Sequence, residues 1–168
     1  VVMRSVLVHI LNKSQAIKEC FRVLKPGGRI SIFEPIIRSN TKYYELVNPS
    51  SITNYDKFKD IEQKFMSDEN DSLTNFDEKT LLNDFKNAGF NDINIDLATE
   101  KSTYEANSSM IDPWFNTPPS PGGLTLKEKF LRVLPDEEIT RYIEELKREL
   151  NGKTITVKSF SAYISAKK

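Results

Sequence analysis

The stretch Leu24-Lys25-Pro26-Gly27-Gly28-Arg29-Ile30-Ser31 decides how this chain folds. Lys25 precedes a proline, which disfavours helical backbone at that residue, so a helix is predicted to end near Leu24. The proline fixes φ at one turn position, and Gly27 permits the positive φ that a type II turn needs at the next position. The sequence therefore predicts a helix, a tight turn and then a buried strand over residues 29–35.

The helix before this turn has one apolar face. Ser14 is its predicted N-cap, because the serine hydroxyl can accept a hydrogen bond from the free amides of the first turn. Apolar side chains then recur at helical spacing, at Ile17, Cys20, Phe21 and Leu24. Cys20 lies on this stripe, so it is predicted to be an unreactive core residue. Residues 1–3 are predicted to be the end of a buried strand.

Further helices and strands follow the turn. Hydrophobic periodicity predicts helices over 52–66, 77–87, 124–134 and 136–150, and strands over 93–97 and 154–165. Asp77 is a predicted helix cap, and Gly89 and Gly152 are predicted to end the helices before them. Residues 67–74 are predicted to form a polar surface loop, and residues 107–123 a Pro- and Gly-rich loop.

Length and charge exclude several classes of protein. The 168 residues suit one domain, and 24 basic residues balance 24 acidic ones, so formal net charge is zero. This balance does not favour nucleic acid or an anionic membrane as a partner. No apolar run approaches the roughly 20 residues of a membrane span. The single cysteine and the lack of a recognisable secretory leader make the cytoplasm the expected compartment.

Three segments resemble one family, the class I S-adenosylmethionine-dependent methyltransferases. Val2-Met3-Arg4-Ser5-Val6-Leu7 resembles the family's fourth strand and the loop that leaves it. Residues 16–34, including the Leu-Lys-Pro-Gly-Gly turn, resemble the next helix and the fifth strand. Residues 81–95, including Ala88-Gly89-Phe90, resemble the following helix and the sixth strand. The likeness is to the C-terminal half of the small-molecule type, similar to the ubiquinone/menaquinone biosynthesis methyltransferases.

The resemblance implies an α/β fold. The expected architecture is the C-terminal half of a Rossmann-like sheet, with strands equivalent to 4-5-7-6, the last strand antiparallel, and flanking helices. Residues 1–168 would form a single partial domain, in which residues 107–150 are a helical insertion before the last strand. The expected activity of the intact parent protein is methyl transfer from S-adenosylmethionine to a small molecule.

The chain departs from the family at the cofactor loop. The family needs a Gly-rich loop after its first strand, where backbone must approach the cofactor closely, and an acidic residue after its second strand. The chain has six glycines, Gly27, Gly28, Gly89, Gly122, Gly123 and Gly152, and no three of them have the spacing of that loop. This chain alone is therefore not expected to bind S-adenosylmethionine. Two alternatives stay open: half of a split enzyme that needs a partner chain, or a non-catalytic interaction module that retains part of the fold. The coding sequence upstream of Val1 would discriminate between them.

Candidate site residues lie where the parallel strands end, because ligands of open α/β sheets bind beyond the carboxyl ends of the strands. By resemblance, Arg4, Ser5 and Val6 would line the methionine end of the cofactor, although Arg4 could equally form a surface ion pair. No catalytic residue is identified, but His9 and Glu34 are candidates for a general base. His9 could instead fix its loop by a hydrogen bond, and Glu34 could cap the next segment.

Four aromatic residues are candidates for substrate binding. Tyr43, Tyr44, Trp114 and Phe115 fall in segments that commonly cover the substrate in this family, and a Pro-rich loop could form a lid over it. The alternative is that these rings anchor their loops to the core. No cluster has the spacing of a metal site. The expected partners are a small-molecule substrate and either a second copy of the chain, paired through an exposed N-terminal strand, or a missing N-terminal half. No nucleic acid or membrane is expected.

Overall fold

The computed structural model describes residues 1–120 and 122–168; Pro121, which belongs to the predicted Pro- and Gly-rich segment, lies outside the described residues. Four strands and six α-helices are described: β1 Val2–Arg4, α1 Lys13–Val23, β2 Arg29–Pro35, α2 Tyr55–Phe65, α3 Glu78–Ala88, β3 Asn91–Glu105, α4 Ser108–Asn116, α5 Leu126–Leu131, α6 Asp136–Leu150 and β4 Thr154–Lys167. Short 3₁₀ turns lie at Leu7–His9, Ile37–Ser39, Tyr43–Leu46 and Pro49–Ser51.

The four strands form one mixed sheet in the order β1-β2-β4-β3. Strand β1 is parallel to β2, with Val2 opposite Ser31. Strand β4 is antiparallel to β2, with Ile164 opposite Ile32. The α/β sheet, the flanking helices and the insertion of the last strand between its two neighbours confirm the predicted fold, including the order equivalent to 4-5-7-6.

Strand β4 also pairs with β3. The hydroxyls of Thr103 and Thr156 are 2.9 Å apart. The Ala106 amide donates to the Lys153 carbonyl at 2.9 Å. As residue number rises along β3, the number of its partner on β4 falls, which is the antiparallel pattern. The predicted pairing of these two strands is confirmed, and both are longer than the sequence pattern indicated.

The Pro-Gly-Gly turn has the predicted geometry. Gly27 has φ of +76°, and the amide of Gly28 donates to the carbonyl of Lys25 at 2.8 Å. This bond and the positive φ define a type II turn. Lys168 contacts the turn from the other side, because it exchanges backbone hydrogen bonds with Gly27 and Gly28 at 3.1 and 2.9 Å. The turn thus connects helix α1 to β2 and is hydrogen-bonded to the residue that follows β4.

The chain divides into two compact units, each with its own core. Unit 1 comprises Val1–Asn40, Met66–Lys101 and Lys158–Lys168, and unit 2 comprises Thr41–Phe65 and Ser102–Val157. Strands β3 and β4 pass through the boundary between the units. In unit 1, helices α1 and α3 pack together, and the core is built from aliphatic residues and phenylalanines, among them Leu7, Ile17, Ile32, Leu81, Phe85 and Ile164.

The core of unit 2 is more aromatic. The rings of Phe58 and Tyr142 are stacked with centroids 3.9 Å apart, and Phe115 and Phe130 contact the same group. Helix α6 packs on α4 and α5 and contributes six buried residues. Among the described residues, none of the helices has the length and apolar character needed to traverse a lipid bilayer.

Two predictions about helices were wrong. Helix α1 is capped by Asn12, whose side chain accepts from the Gln15 amide at 3.0 Å, so it begins one residue before the predicted cap Ser14. Residues 108–116 of the predicted loop form helix α4. The side chain of Asn107 caps this helix, and Ile111 and Phe115 bury the same face, so burial outweighs the internal Pro113.

The predicted burial of the N-terminal strand was also wrong. Strand β1 lies at the edge of the sheet and has β2 as its neighbour. The side chain of Val2 is 85% exposed. Leu97, which alternates with polar residues in β3, is also exposed. The apolar residues predicted the strands correctly, but a strand's sequence does not show whether another element covers the face to which a side chain points.

We expect Gly89→Ala to destabilise the fold more than Gly152→Ala. Both glycines have positive φ, +97° and +74°, so an alanine at either costs about 1–2 kcal/mol of backbone strain. A Cβ at Gly89 would also lie 3.1 Å from Cζ of Phe21, whereas nothing lies within 4 Å of one at Gly152. Urea denaturation of both variants checks this order. Equal losses would mean that α1 and α3 do not pack closely here.

Candidate functional site

The carboxylate of Glu34 organises the ends of the parallel strands in unit 1. Glu34 is fully buried at the end of β2. Its Oε1 accepts hydrogen bonds from the amides of Val6 and Leu7, and its Oε2 from the amide of Val8, each at 2.9 Å. These charge-assisted bonds satisfy amides that the 3₁₀ turn after β1 leaves free. Glu34 therefore caps the segment after β1, not the segment that follows Glu34 itself.

The other strand-end candidates surround this turn. Ser5 has φ of +53°, and its amide donates to the carbonyl of Phe33 at 2.8 Å. The guanidinium of Arg4 lies over the Phe33 ring, 5.4 Å from its centroid. His9 ends the 3₁₀ turn and is exposed, as is the side chain of Val6. The structure thus brings Arg4, Ser5, Val6 and His9 to one sheet edge, in line with their predicted positions.

Lys13 is hydrogen-bonded to the residue that follows the same turn. Its ammonium donates to the carbonyls of Ile10 and Ser72 at 2.9 and 2.7 Å and to Oδ1 of Asn75 at 2.5 Å. It also lies over the ring of Phe76, 4.3 Å from the centroid. Burial lowers the pKa of Lys13 to about 8, although the charge of Glu34 opposes the change. Lys13 fixes the loop over 66–76, so its role is structural.

A second group of candidates meets in unit 2. We call it the Tyr43 cluster, and it consists of Tyr43, Glu62, Trp114, Phe115 and Tyr142. The ring of Tyr43 stacks on Trp114 with centroids 4.8 Å apart and planes 6° from parallel, and it contacts Phe115 at 5.6 Å. Phe115 in turn meets Tyr142 edge to face at 6.0 Å. Three of the four predicted substrate residues therefore lie together.

The fourth, Tyr44, points elsewhere. Its ring meets Tyr55 edge to face at 6.4 Å, and its hydroxyl accepts from the side-chain amide of Gln63 at 3.2 Å. Consecutive residues in a 3₁₀ turn project to different sides, so the two tyrosines have different neighbours. Tyr44 is buried and anchors its turn to α2, which is the alternative that the sequence left open for these aromatics.

Glu62 is the buried acid of the Tyr43 cluster, and its side chain is 1% exposed. Its carboxylate accepts from the amides of Tyr43 at 2.9 Å and Tyr44 at 3.4 Å. Burial raises the pKa of Glu62 to about 7, and the two amide bonds only partly oppose this. No salt bridge found within residues 1–120 and 122–168 involves Glu62.

The hydroxyl of Tyr142 has no hydrogen-bond partner within the described part of the chain. The residue is 1% exposed. Burial raises its pKa well above the usual range, and the charge of Glu62 raises it further. A buried phenol without a partner costs stability, so it is an unusual feature in a packed core.

The sequence pattern indicates no role for Glu62, and it places Tyr142 on the apolar face of the helix predicted over 136–150. A signal for Glu62 exists, because it follows Phe58 by four positions on the buried face of α2, where an unpaired charge is unfavourable. Tyr142 gives no such signal, since a tyrosine on an apolar stripe usually finds a partner for its hydroxyl. Whether the Tyr142 hydroxyl has a hydrogen-bond partner depends on which side chains of other helices pack near it.

The described glycines do not form a loop of the kind that binds a nucleotide or nucleoside. The described glycines lie in the turn before β2, at the end of α3, in the segment before α5 and after α6. None follows the carboxyl end of a strand and begins a helix, which is the position that a phosphate- or nucleoside-binding glycine loop occupies. No group of three or more His, Cys, Asp or Glu residues suited to a metal occurs in the described ranges.

The N-terminal segment matches a known family. Residues 1–32 match the family model described as a methyltransferase domain. The matched residues include β1, α1, the Pro-Gly-Gly turn and the first part of β2, so the match confirms the resemblance over that segment. No curated protein sequence matches this chain.

Solved structures similar to this chain include two methyltransferases. One is a candidate methyltransferase from Bacillus halodurans, with 17% identity, a TM-score of 0.48, and coverage of 99% of this chain and 68% of that one. The other is phosphoethanolamine N-methyltransferase 2 from Haemonchus contortus in complex with S-adenosyl-L-methionine, with 14% identity, a TM-score of 0.38, and coverage of 99% and 32%. The chain thus spans about a third of the length of the second protein.

We expect Glu62 to make stability fall as pH rises. Its pKa is raised from 4.5 to about 7 in the fold, so between these values the folded state binds more protons than the unfolded state. Its contribution is therefore fully present below pH 4.5 and is lost as pH rises through 7, by on the order of 3 kcal/mol in total. Urea denaturation of the wild type and Glu62→Gln at several pH values measures this loss as the difference between the two profiles. A difference that stays constant from pH 5 to 8 would contradict it.

Proposed function

We propose that this chain forms the C-terminal half of an enzyme that transfers a methyl group from S-adenosylmethionine to a small molecule. The observation that carries the proposal is the antiparallel strand β4 between β2 and β3, joined to the Pro-Gly-Gly turn of the matched segment. That combination is the one the resemblance implied. Within this proposal, Arg4, Ser5 and Val6 contact the methionine end of the cofactor.

The Tyr43 cluster is the proposed substrate side. Tyr43 and Trp114 are half-buried, so their stacked rings are partly accessible to a ligand. S-adenosylmethionine supplies an electrophilic methyl group when bound, and such a displacement depends mainly on how the acceptor is positioned. No dedicated base is required at the strand ends, which agrees with Glu34 having its oxygens occupied by three amides. His9 stays a candidate base, and the lone Cys20 supports the cytoplasm as the proposed location.

Our first test is that this chain alone fails to bind S-adenosylmethionine at micromolar concentration. The described residues include no glycine loop, and in this proposal only Arg4, Ser5 and Val6 contact the cofactor, so affinity should be millimolar at best, about −4 kcal/mol. Isothermal titration calorimetry measures it. Micromolar binding would overturn our account of the cofactor site; binding restored by a second chain that carries a glycine loop would support the split-enzyme alternative over the non-catalytic module.

A second test concerns self-association. We propose a homodimer formed through β1, since an edge strand with exposed apolar residues is a template for another chain. Val1, Val2 and Val6 are all exposed at this edge. Light scattering should report a dimer for the wild type and a monomer for Val2→Asp, whereas Leu97→Asp, exposed on a strand at the other end of the sheet order, should stay dimeric. A wild-type monomer would reject the proposal.

A further inference from the structure

Helix α6 is followed by the single Asn-Gly pair of the sequence, Asn151-Gly152. The two residues are the centre of a tight turn that leads into β4. Asn151 has φ of −58° and ψ of 123°, Gly152 has φ of +74°, and the Lys153 amide donates to the Leu150 carbonyl at 2.9 Å. These values define a type II turn. Both central residues are exposed, so water reaches them.

This pair favours attack of the backbone on the asparagine side chain, a residue type that is prone to thermal degradation. Glycine has no Cβ, so its amide nitrogen is unshielded and its backbone rotates freely. A bond between the Gly152 nitrogen and Cγ of Asn151 gives a five-membered cyclic imide. The side-chain NH₂ and the Gly152 amide proton leave together as ammonia. Water then opens the imide at either carbonyl and leaves an aspartate or an isoaspartate, so the net reaction consumes one water and releases one ammonia.

The fold holds the reacting atoms apart. The Gly152 amide donates to the Ala106 carbonyl at 2.8 Å, so the attacking nitrogen is occupied. Oδ1 of Asn151 accepts from the amide of Ser108, the first residue of α4, at 3.1 Å. Ring closure also needs the Gly152 nitrogen on the same side of the Cα–C bond as Cβ of Asn151, whereas ψ of 123° holds the two atoms well apart. The reaction therefore requires local opening of the turn.

We propose that Asn151 is a site of spontaneous deamidation and that opening of the turn between α6 and β4 sets its rate. Opening breaks the two hydrogen bonds that join the turn to residues 106–108, and it frees ψ of Asn151 to rotate. The site uses none of the residues assigned to methyl transfer, so it stands whether or not the proposed function holds.

The two products affect the fold differently. An aspartate at position 151 keeps the main chain intact and accepts a charge-assisted bond from the Ser108 amide at the N-terminus of α4, where negative charge is favourable. An isoaspartate adds a methylene group to the main chain. Gly152 and Lys153 then cannot both keep their backbone bonds with Ala106. Formation of isoaspartate thus loosens the junction of α6 with β4.

The test follows the whole chain over time by mass spectrometry of its peptides, in which replacement of NH₂ by OH changes the mass of the Asn151 peptide. The folded chain is compared with the same chain unfolded in guanidinium chloride at equal pH and temperature. In the unfolded chain we expect Asn151 to react faster than every other asparagine. In the folded chain it should react at least about tenfold more slowly, because two hydrogen bonds must break first.

Ser108→Pro removes one of these bonds and leaves helix α4 in place. Proline is favoured at the first position of a helix, and Asn107 before it already has extended backbone, with φ of −126° and ψ of 159°. Without the amide that donates to Asn151, deamidation of the folded chain should be about fivefold faster. Glu78→Pro makes the matched change at the first position of α3 in unit 1 and should deamidate like the wild type.

Hydrogen exchange of the wild type keeps the proposal falsifiable if Ser108→Pro fails to fold. The factor by which folding slows exchange of the Gly152 amide should match, within about threefold, the factor by which it slows deamidation, since both report the same opening. Equal deamidation rates in the folded and unfolded chains, no reaction at Asn151 in the unfolded chain, disagreement between the two factors, or an unchanged rate in folded Ser108→Pro would overturn the proposal.

Discussion

The bonds from Glu34 to three consecutive backbone amides are the constraint on which the strand-end structure depends. A carboxylate taken fully out of water is tolerated only if its oxygens are satisfied, and Val6, Leu7 and Val8 satisfy them. The same bonds give acceptors to three amides of the turn after β1 that have no backbone acceptor within the turn. The end of β2 and the segment after β1 are therefore held together by these three hydrogen bonds, and each segment satisfies the buried polar groups of the other.

The two units treat their buried acids differently. Glu34 accepts three amide bonds of 2.9 Å, which is enough to make it a structural anchor. Glu62 accepts two, and burial keeps its pKa near neutral. Two hydrogen bonds stabilise a buried carboxyl less than three do, so Glu62 is the weaker anchor of the two acids.

The strand-end residues and the aromatic residues were predicted on different grounds. The segment from Arg4 to Val6 follows a strand, and a strand's end is predictable from its sequence, so its position at the sheet edge was correctly expected. Tyr43, Trp114 and Phe115 were named because of where they fall in the family, and the structure brings them together. Their spacing along the chain is too long for any local pattern to show that contact.

The sequence by itself determined the turn at Gly27, the bounds of β2 and α6, the cap of α3 by Asp77 and, through the resemblance, the order of the sheet. These are local features, fixed by φ preferences, capping hydrogen bonds and hydrophobic period within a few residues. Tertiary structure alone decided that Val2 is exposed, that α4 forms across a proline, that Glu62 is buried, and that the Tyr142 hydroxyl has no partner among the described residues. Exposure, burial and hydrogen-bond satisfaction depend on which distant segments pack nearby, and the sequence pattern of one element does not contain that information.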